Sequence, residues 1–410
     1  MEPDQTREPG SKRPLRVGVL GQFGIGNLGN DGSLQAMLDH IRRVDPEADI
    51  TCICSDPDLI SRRHGVAAQP IRVGGGRPLL GKLLLGAPKF LKTLRHAQSV
   101  TRGLDLVVVP GTGVLDDFNE KPSGLPFDMW VWSRSAKANG ARMAFVSVGA
   151  GPITHGRSRR YVKEAAAAAD YRSYRDIPSF EFMKSIGALE ADDQIYPDIA
   201  FSLPAPPVVL SRVDERIVVA LGVMAYRGWS GRGEDGAGVY RDYVARMADY
   251  VGWLVETGRR VRFLIGKDSD LRTAEDIRKA ALIASPGAAE YVAPVAAMES
   301  LQDVMSELAH ADIAVVTRFH NLVCALKMHV PTVSIGYADK NRSLLEEMGL
   351  GAFSQEIESL DLDTLKSHTD QIIETRAAHR SRIAERVAEY RTKLNDQWAR
   401  LAPLFGRTSS

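Results

Sequence analysis

Short, uninterrupted apolar runs alternate along the chain with stretches whose apolar residues recur at helical spacing, and most runs end in a glycine-rich or polar elbow. Leu15–Leu20 predicts a first strand, followed by the elbow Gly21-Gln-Phe-Gly-Ile-Gly-Asn-Leu-Gly-Asn-Asp-Gly32 and a helix over Ser33–Arg43. Asp49–Cys54 predicts the next strand. Leu104–Val109 runs into Pro110-Gly-Thr-Gly-Val-Leu-Asp-Asp117, and Ala141–Val148 ends in Gly149-Ala-Gly-Pro-Ile153 before an alanine-rich helix over Ser158–Ala169. Three strands that each end in a glycine turn predict a parallel, doubly wound sheet whose ligand edge carries all three turns.

The same grammar returns after Leu203-Pro-Ala-Pro-Pro207, a proline-rich break that marks a domain boundary. Strand Arg216–Gly222, a polar loop over Met224–Gly236, helix Tyr240–Glu256, strand Val261–Ile265 and helices over Thr273–Ala284 and Glu299–His310 follow. Ile313–Val316 is a fully apolar strand, Asn321–Met328 a short helix, and Thr332–Ile335 a strand opened by Pro331. The expected organisation is α/β: a disordered tail over 1–14, a Rossmann-like domain over 15–206, and a second over 207–410. The second carries a long charged helix over Leu362–Ala402, suited to packing back across the first domain. Two such domains facing a cleft place the glycine turns of one opposite Arg318 and His320 of the other.

Composition narrows the partners. Lys and Arg number 52 against 51 Asp and Glu in 410 residues, a balance that argues against a nucleic-acid partner. The cysteines, Cys52, Cys54 and Cys324, lie in apolar stretches and read as buried thiols in a reducing compartment. The polar start lacks a signal-peptide core and no stretch is long enough to span a bilayer, so the expected location is cytoplasmic. Leu79–Arg95 mixes apolar residues with four cations and no acid. It suits peripheral contact with the inner face of an anionic membrane, or an ordinary packed helix with snorkelling lysines, and Pro88 interrupts any single helix through it.

The candidate chemistry sits at the elbows. Arg318 and His320 follow a buried strand where α/β sheets bind ligands, and point to a phosphate or carboxylate. The plainer alternative is a carbonyl-capping arginine and a satisfied buried histidine. Asp31, Asp116 and Asp117 on the first domain suit the orientation of hydroxyls or a base, or helix capping. Arg227, in a loop with Tyr226 and Trp229, suits a second anion contact or a solvated loop; His155 lies at another elbow; Arg175 and Asp176 suit a mutual pair. No His/Asp/Glu cluster has metal-ligand spacing, so no metal is expected, the alternative being Mg²⁺ held by aspartates gathered from separate turns.

Taken together, Gly24-Ile-Gly-Asn-Leu-Gly-Asn-Asp31, Gly111-Thr-Gly-Val-Leu-Asp-Asp117, Gly149-Ala-Gly-Pro152, Ser173-Tyr-Arg-Asp-Ile-Pro-Ser179, Asp198 and Arg318-Phe-His320 resemble, in order and spacing, the polysaccharide pyruvyltransferases. The chain departs from that pattern by inserting Asn30 before Asp31. The resemblance covers roughly residues 15–350. It implies a glycosyltransferase-B-like fold and transfer of the enolpyruvyl unit of phosphoenolpyruvate to two hydroxyls of a sugar in a surface polysaccharide, oligosaccharide or glycolipid, free or lipid-linked. Phosphoenolpyruvate is then a co-substrate and no cofactor is needed. The residues expected to carry the chemistry are His320, Arg318 and Asp31, with Gly26, Asn27, Gly29, Gly111, Gly113, Asp116, Gly149, Gly151 and Arg227 lining the substrates. The rivals are a nucleotide-sugar glycosyltransferase of the same fold and a non-catalytic sugar-phosphate-binding protein. Against the former, the helix His320–Met328 has no acid to hold a ribose, although Glu346 and Glu347 follow.

Overall fold

The apolar runs become two parallel sheets in the computed structural model, which describes residues 13–73, 86–117, 121–207, 215–228 and 235–406. The first comprises β1 (Arg16–Leu20), β2 (Asp49–Cys54), β3 (Ala67–Pro70), β4 (Leu106–Pro110), β5 (Gly113–Leu115), β6 (Arg142–Ala150), β7 (Tyr171–Tyr174) and β8 (Gln194–Ile195). Its order is β3-β2-β1-β4-β6-β7-β8, with β5 beside β6. The second comprises β9 (Val218–Gly222), β10 (Arg260–Leu264), β11 (Ile313–Val316), β12 (Thr332–Gly336) and β13 (Ser354–Glu356), in the order β10-β9-β11-β12-β13. β4, β11 and β12 are buried at every position, as parallel strands covered on both faces must be. β3 and the helix Pro57–His64 before it escaped the sequence reading, because Ala67–Pro70 is too short and too polar to register as an apolar run.

Most of the expected tail over 1–14 lies outside the described residues. Arg13 does not, and its guanidinium grips Asp105 with two bonds of 2.7 and 2.6 Å. The membrane-facing reading of Leu79–Arg95 also falls largely outside them, although the helix Gly86–Thr101 accommodates Pro88 in its first turn, where a proline removes no helical bond. Among the described residues no helix is long and apolar enough to cross a membrane.

The first helix runs over Leu28–Val44 and so begins five residues before the expected Ser33. Asn27 is the cause: its side-chain oxygen accepts the Gly29 and Asn30 amides, at 3.1 and 3.4 Å, and starts the helix inside the glycine turn. The expected helix over 362–402 is two, Leu362–Glu374 and Arg376–Leu401, broken at Thr375.

The second of these crosses back onto the first sheet. Gln397, fully buried, donates to the hydroxyls of Ser147 and Ser173 at 2.8 Å each. Ser147 has a positive φ of 50°, and the pairing of β6 with β7 shifts register between Phe145 and Val148. An extra residue in β6 thus makes a bulge at Ser147, after which the strand pairs again, Val148 with Tyr174 and Gly149 and Ala150 with β5; the Ser173 hydroxyl accepts the Ser147 amide and Gln397 bonds the Ser147 hydroxyl.

His40 is buried where the same helix meets Leu28–Val44, its ring stacked 4.0 Å from Trp398 and edge-on to Phe405, with neither ring nitrogen hydrogen-bonded. Burial, helped by Arg43, pulls its pKa from 6.5 to about 4. The unfolded chain therefore binds a proton that the folded chain refuses between these values, so stability is intact above pH 6.5 and drains away as pH falls towards 4. The full loss is about 3 kcal/mol. Unfolding midpoints measured across this window should fall steeply for the native chain and less for His40→Phe; parallel curves would refute the assignment.

Candidate active site

The C-terminal ends of β9, β10 and β11 are fastened by one carboxylate. Asp270, the third residue of the helix Asp268–Ala284, is fully buried and accepts Nε and Nη2 of Arg318 at 2.9 and 2.7 Å and the backbone amide of Ala225 at 3.0 Å. Arg318 precedes the helix Phe319–Lys327 and its side chain is 21% exposed. One edge of its guanidinium is therefore spent within the protein. Free bidentate capture of a substrate, the role expected of this residue, is reduced to what the Nη1 side offers.

His320 enters the interface between the domains. Its side chain is 13% exposed, and Nε2 lies 3.6 Å from Asp198 Oδ2, too far for a direct hydrogen bond. Asp198 starts the short turn Ile199–Ser202, accepts the Ala200 amide at 2.9 Å and takes Arg175 Nη1 at 3.2 Å. Burial pulls the imidazole below its ordinary value, with Asp198 pulling the other way. Burial would raise Asp198, yet His320, Arg175 and the Ala200 amide hold it below the usual carboxylate range. The pair is thus a neutral imidazole beside a carboxylate anion at neutral pH.

Arg175, at the end of β7, does more than pair with Asp176. It reaches Asp176 at 3.3 Å, the Gly111 carbonyl at 3.1 Å and Asp198, and lies 4.5 Å over the Phe319 ring of the opposite domain. Lys340, beyond β12, sits 5.5 Å from the Phe319 ring centre and 5.1 Å from that of Tyr337. Burial would raise the Tyr337 phenol, but Lys340, Arg318 and Arg175 together bring it below its ordinary value. Arg175, Arg318 and Lys340 thus bring three cations to this edge of the cleft around Phe319 and Tyr337, the two arginines already paired with Asp176, Asp198 and Asp270.

The glycine turns explain themselves as close approaches. A Cβ on Gly29 would fall 1.9 Å from His320 Nδ1, on Gly26 2.2 Å from Asp268 Oδ2, and on Gly149 2.9 Å from Arg175 Nη2. The Gly26–Leu28 backbone bonds across the cleft, with Asp268 N donating to Gly26 O and Leu28 N to Gly266 O. Gly111 (φ 52°) and Gly113 lie beside Arg175, and Gly113 also faces Asp116, which is half-buried. Gly26 and Gly29 therefore serve domain apposition, and Asn27 is spent as a cap. Gly151 (φ 66°) precedes a cis Pro152 and packs on Phe182. Arg227 is exposed and stacks 4.5 Å over Tyr240.

Asp31, expected to act on the acceptor, turns inward: its carboxylate accepts the Gly24 amide at 2.9 Å and meets Arg63 at 3.4 Å, and the residue is 5% exposed. The inserted Asn30 ties the same turn through Nδ2 to Gln22 O at 3.0 Å. Asp117 caps the Thr154 and His155 amides, leaving the His155 side chain on the exposed surface. The sequence reading missed Asp270, Lys340 and Tyr337. A signal existed for each: Gly266-Lys-Asp-Ser-Asp270 and Gly336-Tyr-Ala-Asp-Lys340 are also polar elbows following apolar strands.

Gly29→Ala tests the apposition. Alanine in a helix's first turn would ordinarily gain up to about 1 kcal/mol over glycine. Here the added methyl must displace His320, so stability should fall by about 1–3 kcal/mol and catalytic efficiency with it. A stabilised, fully active variant in thermal and kinetic measurements would show that the domains separate freely at this contact.

The model of a protein family described as polysaccharide pyruvyl transferase matches residues 27–339. No curated protein matches the chain by sequence. Among solved structures, a UDP-N-acetylglucosamine 2-epimerase aligns over 98% of this chain and 98% of its own, at 11% identity and TM-score 0.60. A glycosyltransferase from Rickettsia africae ESF-5 aligns over 97% and 100%, at 7% identity and TM-score 0.58. The UDP-GlcNAc 2-epimerase from Methanocaldococcus jannaschii aligns over 87% and 92%, at 12% identity and TM-score 0.56. At these identities the likeness is one of fold, and the fold is glycosyltransferase-B-like.

Proposed function

The chain belongs to the polysaccharide pyruvyl transferase family, and from that premise we propose that it transfers the enolpyruvyl unit of phosphoenolpyruvate to two hydroxyls of a sugar, forming a cyclic ketal and releasing phosphate. The reading is carried by the convergence of His320 with Arg175, Arg318 and Lys340 on the cleft edge around Phe319 and Tyr337. A carboxylate and a phosphate on a three-carbon frame need several cations close together, and this edge supplies them. Lys340 and the free side of Arg318 are the contacts proposed for the donor, with Arg175 adding charge from the other domain.

The base role towards the acceptor hydroxyl is proposed for His320, a role that its lowered pKa supports because the neutral form then prevails at neutral pH. The methylene carbon of the donor gains a proton, carbon two becomes cationic, the first hydroxyl oxygen bonds to it, the carbon–oxygen bond to phosphate breaks, and the second hydroxyl closes the ring. One hydroxyl proton is balanced by the new methyl group and the other leaves with phosphate. Asp198, fixed by Arg175 and the Ala200 amide, steadies the imidazolium that forms. The acceptor is proposed to be a saccharide of the cell envelope, met on the cytoplasmic side.

The test is phosphate release from phosphoenolpyruvate with a panel of galactosides, glucosides and mannosides. Acceptor-dependent release, with a ketal methyl signal in the product, is the expected result. Turnover of a nucleotide sugar with no reaction of phosphoenolpyruvate would overturn the proposal.

A further inference from the structure

At the C-terminal end of the Phe319–Lys327 helix, two turns from His320, where the connection between the domains passes between the Leu28–Val44 and Arg376–Leu401 helices, lies a cavity of about 290 Å³. Its walls are the backbone turn at 201–205 together with Arg43, Lys327, Arg391, Asn395 and Trp398, and among the described residues no Asp or Glu lines it. Among the described residues, none of the three cations has a carboxylate partner.

Lys327 forms the floor. It is 5% exposed and donates to Phe201 O at 2.7 Å, which leaves two of its three ammonium donors to spare. Burial and the neighbouring Arg391 charge pull its pKa down to about 8, the behaviour of an ammonium held without compensation. Arg43 and Arg391 are exposed at the mouth, and Trp398 forms a partly buried wall. Three like charges gathered on one small cavity repel one another, and a protein that keeps them together without acids has a ready place for a compensating anion.

We infer that this hinge cavity binds a phosphate group, held by Lys327 from below and by Arg43 and Arg391 across the mouth. Guanidinium forks match phosphate oxygens, and the three cations come from three different helices, so the bound group would clamp both domains and the crossing helix to the connection between them. Lys327 grips Phe201, and Asp198 starts the turn that contains it, so an anion at Lys327 bears on the carboxylate that faces His320. The inference does not depend on the chemistry proposed for the cleft.

Inorganic phosphate titrated against sodium chloride of equal ionic strength provides the test, with the thermal midpoint as readout. Because phosphate can also enter the cleft, the titration is run on the native chain, on Lys340→Ala, and on Arg43→Ala/Arg391→Ala, whose exposed positions should leave the fold intact by circular dichroism. A saturable rise should appear in the first two, and in the third its half-saturation should move at least about tenfold higher. The inference is overturned if the native chain shows no rise beyond chloride, if the rise survives unchanged in the double variant, or if Lys340→Ala alone abolishes it.

Discussion

Replacing His320 by alanine is expected to lower kcat/KM for acceptor-dependent phosphate release by about a hundred- to ten-thousand-fold, the usual reach of positioned proton transfer. The imidazole faces Asp198 across 3.6 Å and is buried against Gly29, so its loss removes the proposed base while the ion pairs around it stay intact. The pH profile gives a second signature. Burial holds the folded imidazole below its ordinary value, so the neutral, active form should persist as pH falls through 6.5, and the acid limb of kcat/KM should lie below that value. In His320→Ala any residual rate should lack that limb. Turnover undiminished by the substitution would remove His320 from the chemistry.

The largest stability effect is expected at Asp270. Truncation to alanine leaves the guanidinium of Arg318 without its bidentate partner and the Ala225 amide without an acceptor. Breaking one side of a buried pair costs about 3–5 kcal/mol, and the 21% exposure of the Arg318 side chain places this case near the lower end. The KM for phosphoenolpyruvate should rise as well, since Arg318 is held in place through this bond. Adding Arg318→Met to Asp270→Ala should recover much of the stability in urea melts and none of the activity. If the double variant is no more stable than the single one, the pair is not the fastening it is taken to be.

The elbows after β1, β4, β6 and β11 were legible because each joins an unbroken apolar run to glycines or polar residues, a pattern that depends only on neighbours in sequence. Arg318 and His320 were found that way, and the facing of Gly29 against His320 followed from placing two such sheets opposite each other. What those residues touch was not legible. Asp270 precedes Arg318 by 48 residues and Asp198 precedes His320 by more than a hundred, and nothing local distinguishes either from a capping aspartate. Asp31 shows the converse: a carboxylate in a motif of the right shape is used to pin the turn that contains it. The contacts of Gly26 and Gly29 with the other domain were not legible for the same reason, since a missing Cβ looks alike whether a ligand or the other domain fills its place.

The Gln397 anchor has a consequence for how the protein is made. Ser147 and Ser173 lie 250 and 224 residues ahead of the side chain that satisfies them. A ribosome has therefore released the whole first sheet, and translated the second, before the bulge in β6 can close over its own polar groups. Vectorial folding, in which an amino-terminal domain matures while the remainder is still being synthesised, should stall here at a nearly finished sheet with a wet seam. A nascent chain arrested before residue 376 should expose that seam to proteases that the released protein resists.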